Sequence, residues 1–259
     1  MDERRVARTA DLLRDAADSG GIVSLAAEDL PATQDEAEAI QDYNLRRSAE
    51  PVGAWKLGAT TGASKAALGL KRPFAGAVAA GRVFRSGATI PAGMLRQRGV
   101  EVEIAFRLDR DLPADGEPWT AELIREAIGS VHAAFEIPNA RMEKIGAYGA
   151  PALVADNGAA SVAIIGDGIE AWSPDALSSL AVTLRLGDAP VVTGSSADVV
   201  PSVFGALVEV LAGLQRRGYD LYHGQFFLTG SCTPFAPAGI GVAAVGEIEA
   251  IGKVSARLE

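Results

Sequence analysis

Residues 96–106, RQRGVEVEIAF, set Glu101 and Glu103 two positions apart inside an otherwise apolar run. Residues i and i+2 of a strand share a face. The pattern therefore predicts a half-buried strand with Val100, Val102 and Ile104 toward a core and both carboxylates on the other side. Like charges on one face repel unless water screens them or a cation is shared between them. A solvated sheet face and a cation site both meet that condition, and the solvated face is the commoner arrangement. A second alternating run, SVHAAFEIPNARM, points Val131, Ala133, Phe135 and Ile137 one way and His132, Ala134 and Glu136 the other, with Pro138 as its stop. Glu136 is thus a third strand-borne carboxylate. With two histidines and one cysteine in the chain, a zinc or copper site is disfavoured. Three glutamates instead describe an all-oxygen site suited to Mg²⁺ or Mn²⁺. Spacing alone does not say whether Glu136 converges with Glu101 and Glu103.

Lys56 is a further candidate. It sits in AWKLGA, apolar on both sides, where an ammonium beside a cation site can hydrogen-bond an oxyanion or donate a proton. A surface lysine is the alternative. His132 reads as a satisfied structural histidine, His223 as a loop residue, and Arg141 as the partner of a surface carboxylate. Cys232 has no His or Asp at a spacing that would make it a nucleophile. Asp156 and Asn157 read as turn formers.

The 259 residues, 48% hydrophobic and 22% charged, are those of an ordinary globular protein. A formal net charge of -9 argues against a nucleic-acid partner. The single cysteine excludes an internal disulfide, MDERRVARTADLL lacks a signal-peptide core, and no apolar run reaches membrane-spanning length. A cytoplasmic protein with no membrane partner is expected.

Two helices are expected in the first fifty residues. One carries Val6, Ala10, Leu13 and Ala17 and ends at Gly20 and Gly21; the other opens with a Thr33-x-x-Glu36 capping box. Glycine-rich short runs between positions 52 and 93 predict strands and tight turns. Thr120 is expected to cap a helix, and Val203, Leu207, Leu211 and Leu214 mark another, closed by Gly218. Strands are expected at 161–165, 181–186 and 241–245, with a hairpin over 246–259. The expected architecture is α+β: a small helical N-terminal lobe, residues 1–50, on a β-rich mixed domain, residues 51–259.

The run VEVEIAFRLDRDLP followed by VHAAFEIPNAR resembles the E-x-E…E metal signature of the fumarylacetoacetate hydrolase superfamily. It is most similar to the branch of 2-hydroxypentadienoate (2-oxopent-4-enoate) hydratases and 4-oxalocrotonate decarboxylases. GAWKLGATT, ALVADNGAAS and FFLTGSCTP resemble further segments of that branch, in the same order along the chain. The resemblance implies the superfamily's C-terminal type of β-rich fold and Mg²⁺ or Mn²⁺ held by Glu101, Glu103 and Glu136. It also implies a small 2-oxo acid substrate processed through a metal-stabilised enolate, with Lys56 as a catalytic group. Ser231, the N–H groups around Gly230, and Ser161 would bind the substrate, although turn and strand-end roles serve these residues as well. A hydratase of short unsaturated 2-oxo acids comes first. After it come a decarboxylase of 4-oxalocrotonate-like diacids, an acylpyruvate hydrolase and a non-catalytic partner subunit. A homo-oligomer, or association with a related enzyme, is implied too. One departure bears on the reaction type: Phe74 and Ala75 stand where hydratases of the branch often carry an Asp between proline and glycine.

Overall fold

The computed structural model describes residues 1–199 and 201–259. In chain order its helices and strands begin with α1 (Glu3–Ser19), α2 (Gln34–Leu45), β1 (Val52–Gly58), α3 (Gly62–Leu68) and β2 (Phe74–Ala79). Next come β3 (Val83–Arg85), β4 (Ala88–Ile90), β5 (Gly99–Leu108), α4 (Ala121–Ala127) and β6 (Ile128–Ile137). They are followed by α5 (Gly149–Ala155), β7 (Val162–Ile169), β8 (Ala181–Leu186), β9 (Val192–Ser195) and α6 (Val203–Arg216). The chain closes with β10 (Phe226–Ser231), β11 (Ala236–Pro237), β12 (Val242–Ile248) and β13 (Gly252–Leu258).

The mixed sheet that matters for the site has the order β2-β1-β10-β5-β6-β7-β3, with β11 paired to β5; a second sheet runs β4-β13-β12-β8-β9. Period-two alternation makes the two faces of the first sheet unlike. Val102, Ile104, Phe106, Val131, Phe135, Ile137 and Ile164 pack with residues of β8, β12, β13 and α6 into the main core. This is the large apolar burial that holds β5 and β6 in place. The opposite face carries Ala54, Ala105, Ala134 and Ala163 with Val78 and Leu228, so side chains among them have room. The sheets approach closely at Gly246, where a Cβ would meet the Phe135 ring at 2.7 Å.

α1 and α2 form where the periodicity places them. Gly20 ends α1 with φ 65°. Thr33 caps α2 by accepting from the Glu36 N–H at 3.2 Å. The reciprocal half of that box differs from expectation: the Glu36 carboxylate accepts from the Ala32 N–H at 2.7 Å and pairs with the N-terminal ammonium. These helices share a core with Ala59, Phe74, Met142 and Leu153. Two short helices lie in stretches not read as helical. α3 is nucleated by Thr61 and Ser64, each side chain accepting the other's backbone N–H (2.8 and 3.0 Å), and Gly69 ends it with φ 63°. α5 is short and almost wholly buried, so it presents no amphipathic pattern to read.

The ADN segment is structural. Asp156 accepts from the Arg141 backbone N–H at 2.8 Å and from its Nε at 2.5 Å, with Asp156 buried. The pair expected at the surface is therefore an internal one. Asn157 bonds both the N–H and the C=O of Ala77 (2.8 and 2.7 Å) and so covers the outer edge of β2. Asp156→Ala strands a largely buried guanidinium, and a loss of about 3 kcal/mol is expected in urea unfolding. A loss under about 1 kcal/mol would contradict that role.

Candidate metal and substrate site

Strand pairing brings the three glutamates together. β5 and β6 run antiparallel with Glu101 opposite Glu136 and Glu103 opposite Ala134, so all three side chains rise from the alanine-lined face. One carboxylate oxygen from each lies within 4.8 Å of the others. Glu103 is 1% exposed and Glu136 0%; Glu101 is half-buried. The Gly230 N–H, on neighbouring β10, donates to Glu103 Oε2 at 2.9 Å. Lys56 is placed by β1, in register with Leu228 of β10, and its Nζ stands 3.5 Å from Glu136 Oε2.

The charges do not balance. Three carboxylates face one ammonium in a region largely closed to water. Burial, then the charge of Glu101, pushes Glu103 up to about 8. Burial also drives Glu136 well above the usual carboxylate range, against the pull of Lys56. For Lys56, burial disfavours the ammonium, but the three glutamates outweigh it and its pKa stands above the ordinary lysine value. Both oxygens of Glu136 are buried without a well-formed hydrogen bond; Oε2 has only the Lys56 ammonium at 3.5 Å and Oε1 has no partner. Orphaned acceptors of that kind cost stability unless a cation or proton satisfies them. An all-oxygen, carboxylate-rich cradle of this size fits a hard divalent ion.

Lys56, Glu101 and Glu103 open onto a cavity of about 790 Å³. Its wall includes the hydroxyl-bearing Thr60, Thr61, Ser64, Ser231 and Thr233, the acidic Asp198, and the apolar Leu68, Phe74, Leu153 and Phe235. The Phe74 ring fits between Gly58 and Gly158, where an added Cβ would lie 2.1 and 2.4 Å from it, and Lys56 Nζ is 5.8 Å from its centre.

The candidates named for substrate binding fall differently. Ser231 lines the cavity, but its hydroxyl donates to the Thr233 carbonyl. The Gly230 N–H is engaged by Glu103, so that donor orients a carboxylate of the protein. Glycine is required at 230 because φ is 100° and a Cβ would lie 1.8 Å from Thr60 Oγ1. Ser161 is not among the residues around this cavity. The turn Asn157–Ala159, with positive φ at all three residues, presents Gly158 and Ala159 to it, while Ser161 lines an adjacent cavity of about 480 Å³.

His132 is satisfied by Ser130 Oγ (2.8 Å) and the Gly166 carbonyl (3.2 Å), and burial lowers its pKa. His223 is an exposed loop residue. Burial pushes the Cys232 thiol up to about 12, so it is no nucleophile. Of the hydroxyl residues around the cavity, sequence reasoning named Ser231 alone as a candidate, and it passed over Thr60, Thr61, Ser64, Thr233 and Asp198. The Thr60-Thr61 doublet after the lysine strand was a usable signal; nothing local marks Thr233 or Asp198.

No family model matches the chain. It is 31% identical over 229 residues to 2-keto-4-pentenoate hydratase 1 of Dechloromonas aromatica (strain RCB), covering 87% of this chain and 86% of that one. Similarity to a 4-oxalocrotonate decarboxylase of a Pseudomonas species is 27% over 257 residues, 97% of each. Among solved structures, 4-oxalocrotonate decarboxylase from Pseudomonas putida G7, complexed with magnesium and adipate, superposes with a TM-score of 0.88 at 23% identity, over 100% of this chain and 99% of that one. With the three converging glutamates in place and relatives of this identity and coverage, the chain belongs to the family of the 2-keto-4-pentenoate hydratases.

Proposed function

We propose that this protein is a divalent-metal-dependent hydro-lyase that adds water to short unsaturated 2-oxo acids of the 2-hydroxypenta-2,4-dienoate type. Glu101, Glu103 and Glu136 would hold Mg²⁺ or Mn²⁺. The observation that carries the reading is the buried triad itself, three carboxylate oxygens within 4.8 Å and two oxygens of Glu136 without a well-formed hydrogen bond. When bound, the cation supplies a Lewis acid for negative charge that develops on the substrate. The rest of the work belongs to side chains. Lys56 stays charged at neutral pH because the glutamates outweigh its burial; it serves as a proton donor or as a hydrogen-bond donor to a developing oxyanion. Gly230 fixes Glu103 through its N–H. Thr60 lines the cavity beside Lys56, and its hydroxyl would orient a substrate carboxylate or an attacking water. The same proposal takes residues 1–50 as a helical lobe on the β-rich remainder, the location as cytoplasmic, and the assembly as a homo-oligomer, alone or with a related enzyme.

Product identification by NMR tests the reaction. With Mg²⁺ and 2-hydroxypenta-2,4-dienoate, 4-hydroxy-2-oxopentanoate is expected, and EDTA should abolish it. Release of CO₂ from 2-oxohex-3-enedioate, with no hydration, would rename the reaction. Glu136→Ala should lower turnover about a hundredfold or more, and Lys56→Met by about two to four orders of magnitude, both with near-native circular dichroism. Wild-type rates in either variant would remove that residue from the mechanism.

The pH dependence has a definite sign. The folded-state pKa of Glu103, about 8, lies above the ordinary 4.5. Its contribution to stability is therefore complete below the ordinary value and is lost as pH rises through about 8 in the metal-free protein. A cation competes with that proton, so the Tm gain on adding Mg²⁺ should be larger at about pH 8 than at about pH 6. A gain independent of pH would speak against Glu103 as a ligand.

A further inference from the structure

Adding water across a conjugated double bond needs a base for the water as well as an acid for the substrate carbon. Among the described residues, the titratable side chains on the cavity wall are Lys56, Glu101, Glu103, Asp198 and Cys232. Four of them are committed. Glu101 and Glu103 belong to the cation site. Lys56 already carries its proton, held there by the glutamates, and the buried Cys232 thiol keeps its own, pushed up to about 12. β2 brings no acid to this wall, because the residue it contributes is Phe74. Asp198 remains. It is exposed, and the lysines of this region, Lys56 and Lys65, pair instead with Glu136 and Glu209 at 3.5 and 3.6 Å.

The fold fixes where Asp198 stands. It closes the short turn Ser196–Asp198 that follows β9. Ser195 Oγ accepts from the Ala197 N–H at 3.1 Å, and the buried Ser196 accepts through Oγ from the Leu180 N–H at 2.8 Å. β9 packs so tightly on the segment after β10 that a Cβ at Gly194 would lie 1.9 Å from the Cys232 carbonyl oxygen. The next residue along from Asp198, Val199, is buried and bridges antiparallel to Thr61, at the start of α3. Both contacts tie the turn to segments of the cavity wall, and the charges of Glu103 and Asp198 are each felt by the Cys232 thiol.

From this we infer that Asp198 is a catalytic residue, the general base that takes a proton from the attacking water. The inference rests on the function proposed above and deepens it. In the 2-oxo-3-enoate form of the substrate, a water lone pair forms the new bond to carbon 4. The π pair of carbons 3 and 4 becomes the bond between carbons 2 and 3, and the carbonyl pair moves onto the 2-oxygen. The proton released by the water goes to the Asp198 carboxylate. When the pair returns from the 2-oxygen, carbon 3 takes a proton from the Lys56 ammonium. Asp198 then gives its proton to solvent and Lys56 regains one, so the sum is the addition of one water. An exposed carboxylate suits this task, since it exchanges protons with solvent at each turnover.

Steady-state hydration with Mg²⁺ present, followed by NMR, tests the assignment in three variants. Asp198→Asn should lower kcat about a hundredfold or more. Its KM, and its Mg²⁺ affinity by calorimetry, should stay within about threefold of the native values. Asp198→Glu should recover most of the lost rate. In Asp198→Ala, added formate should raise the rate on the order of tenfold by replacing the missing carboxylate, while the native protein gains nothing from it. A native kcat in Asp198→Asn would overturn the inference and leave the metal-site reading standing. An equal fall in the Asn and Glu variants, with no response of Asp198→Ala to formate, would make the position structural and overturn it too. Absence of Mg²⁺-dependent hydration by the native protein would instead overturn the proposed function itself.

Discussion

The structure turns on one electrostatic imbalance: three carboxylates and one ammonium gathered in a region largely withdrawn from water. Glu101 and Glu136 meet across a strand pair, where like charges are ordinarily avoided, and Glu103 follows two residues along. No basic residue other than Lys56 comes within ion-pair distance of this triad among the described residues. Two glutamates are held far above their ordinary pKa by burial, and a lysine is held charged by the same glutamates. Such a cluster is costly by itself. It makes physical sense as a receptor for positive charge, with proton and metal ion as the two competitors.

The fold holds that cluster rigid by dividing labour between the faces of one sheet. On one side, large β-branched and aromatic residues lock β5 and β6 against the second sheet and α6. On the other, alanines leave the glutamates free of steric competition. A shift of β5 by one residue would send both its glutamates into the main core and Val102 into the site, so burial on one face enforces the geometry on the other. Glycine finishes the work at two points. Gly230 lets β10 turn its N–H onto Glu103 against Thr60, and the gap between Gly58 and Gly158 admits Phe74 beside Lys56.

Residues that look alike in sequence divide by what surrounds them. Arg141 follows Glu136 closely along the chain, yet it is spent on Asp156, holding the turn that brings Gly158 and Ala159 to the cavity. Gly230 and Ser231 end β10, and their donors are committed to Glu103 and Thr233. Thr60, Thr61 and Thr233 also line the cavity, where the Thr61 hydroxyl is engaged by Ser64 and that of Thr233 accepts from the Val102 N–H. His132 shares a face with Glu136 and is satisfied locally by Ser130 and Gly166.

Sequence alone was enough for what depends on local periodicity and composition. The alternation in β5 and β6 put the glutamates on the polar face, helical spacing marked α1, α2 and α6, Thr33 and Thr120 announced helix starts, and the poverty in histidine and cysteine pointed to an oxygen site. These are properties of a few consecutive residues, and the chain displays them directly. Tertiary structure decided whatever depends on which segments become neighbours. That Glu136 faces Glu101 is a matter of strand register; that Lys56 joins them depends on β1 lying next to β10. That Ser161 lies off the cavity follows from a left-handed turn just before it. α5, buried around its surface, carried no periodic signal. Side-chain pairing between distant segments is set by the whole packing of the chain, and no short window of sequence contains it.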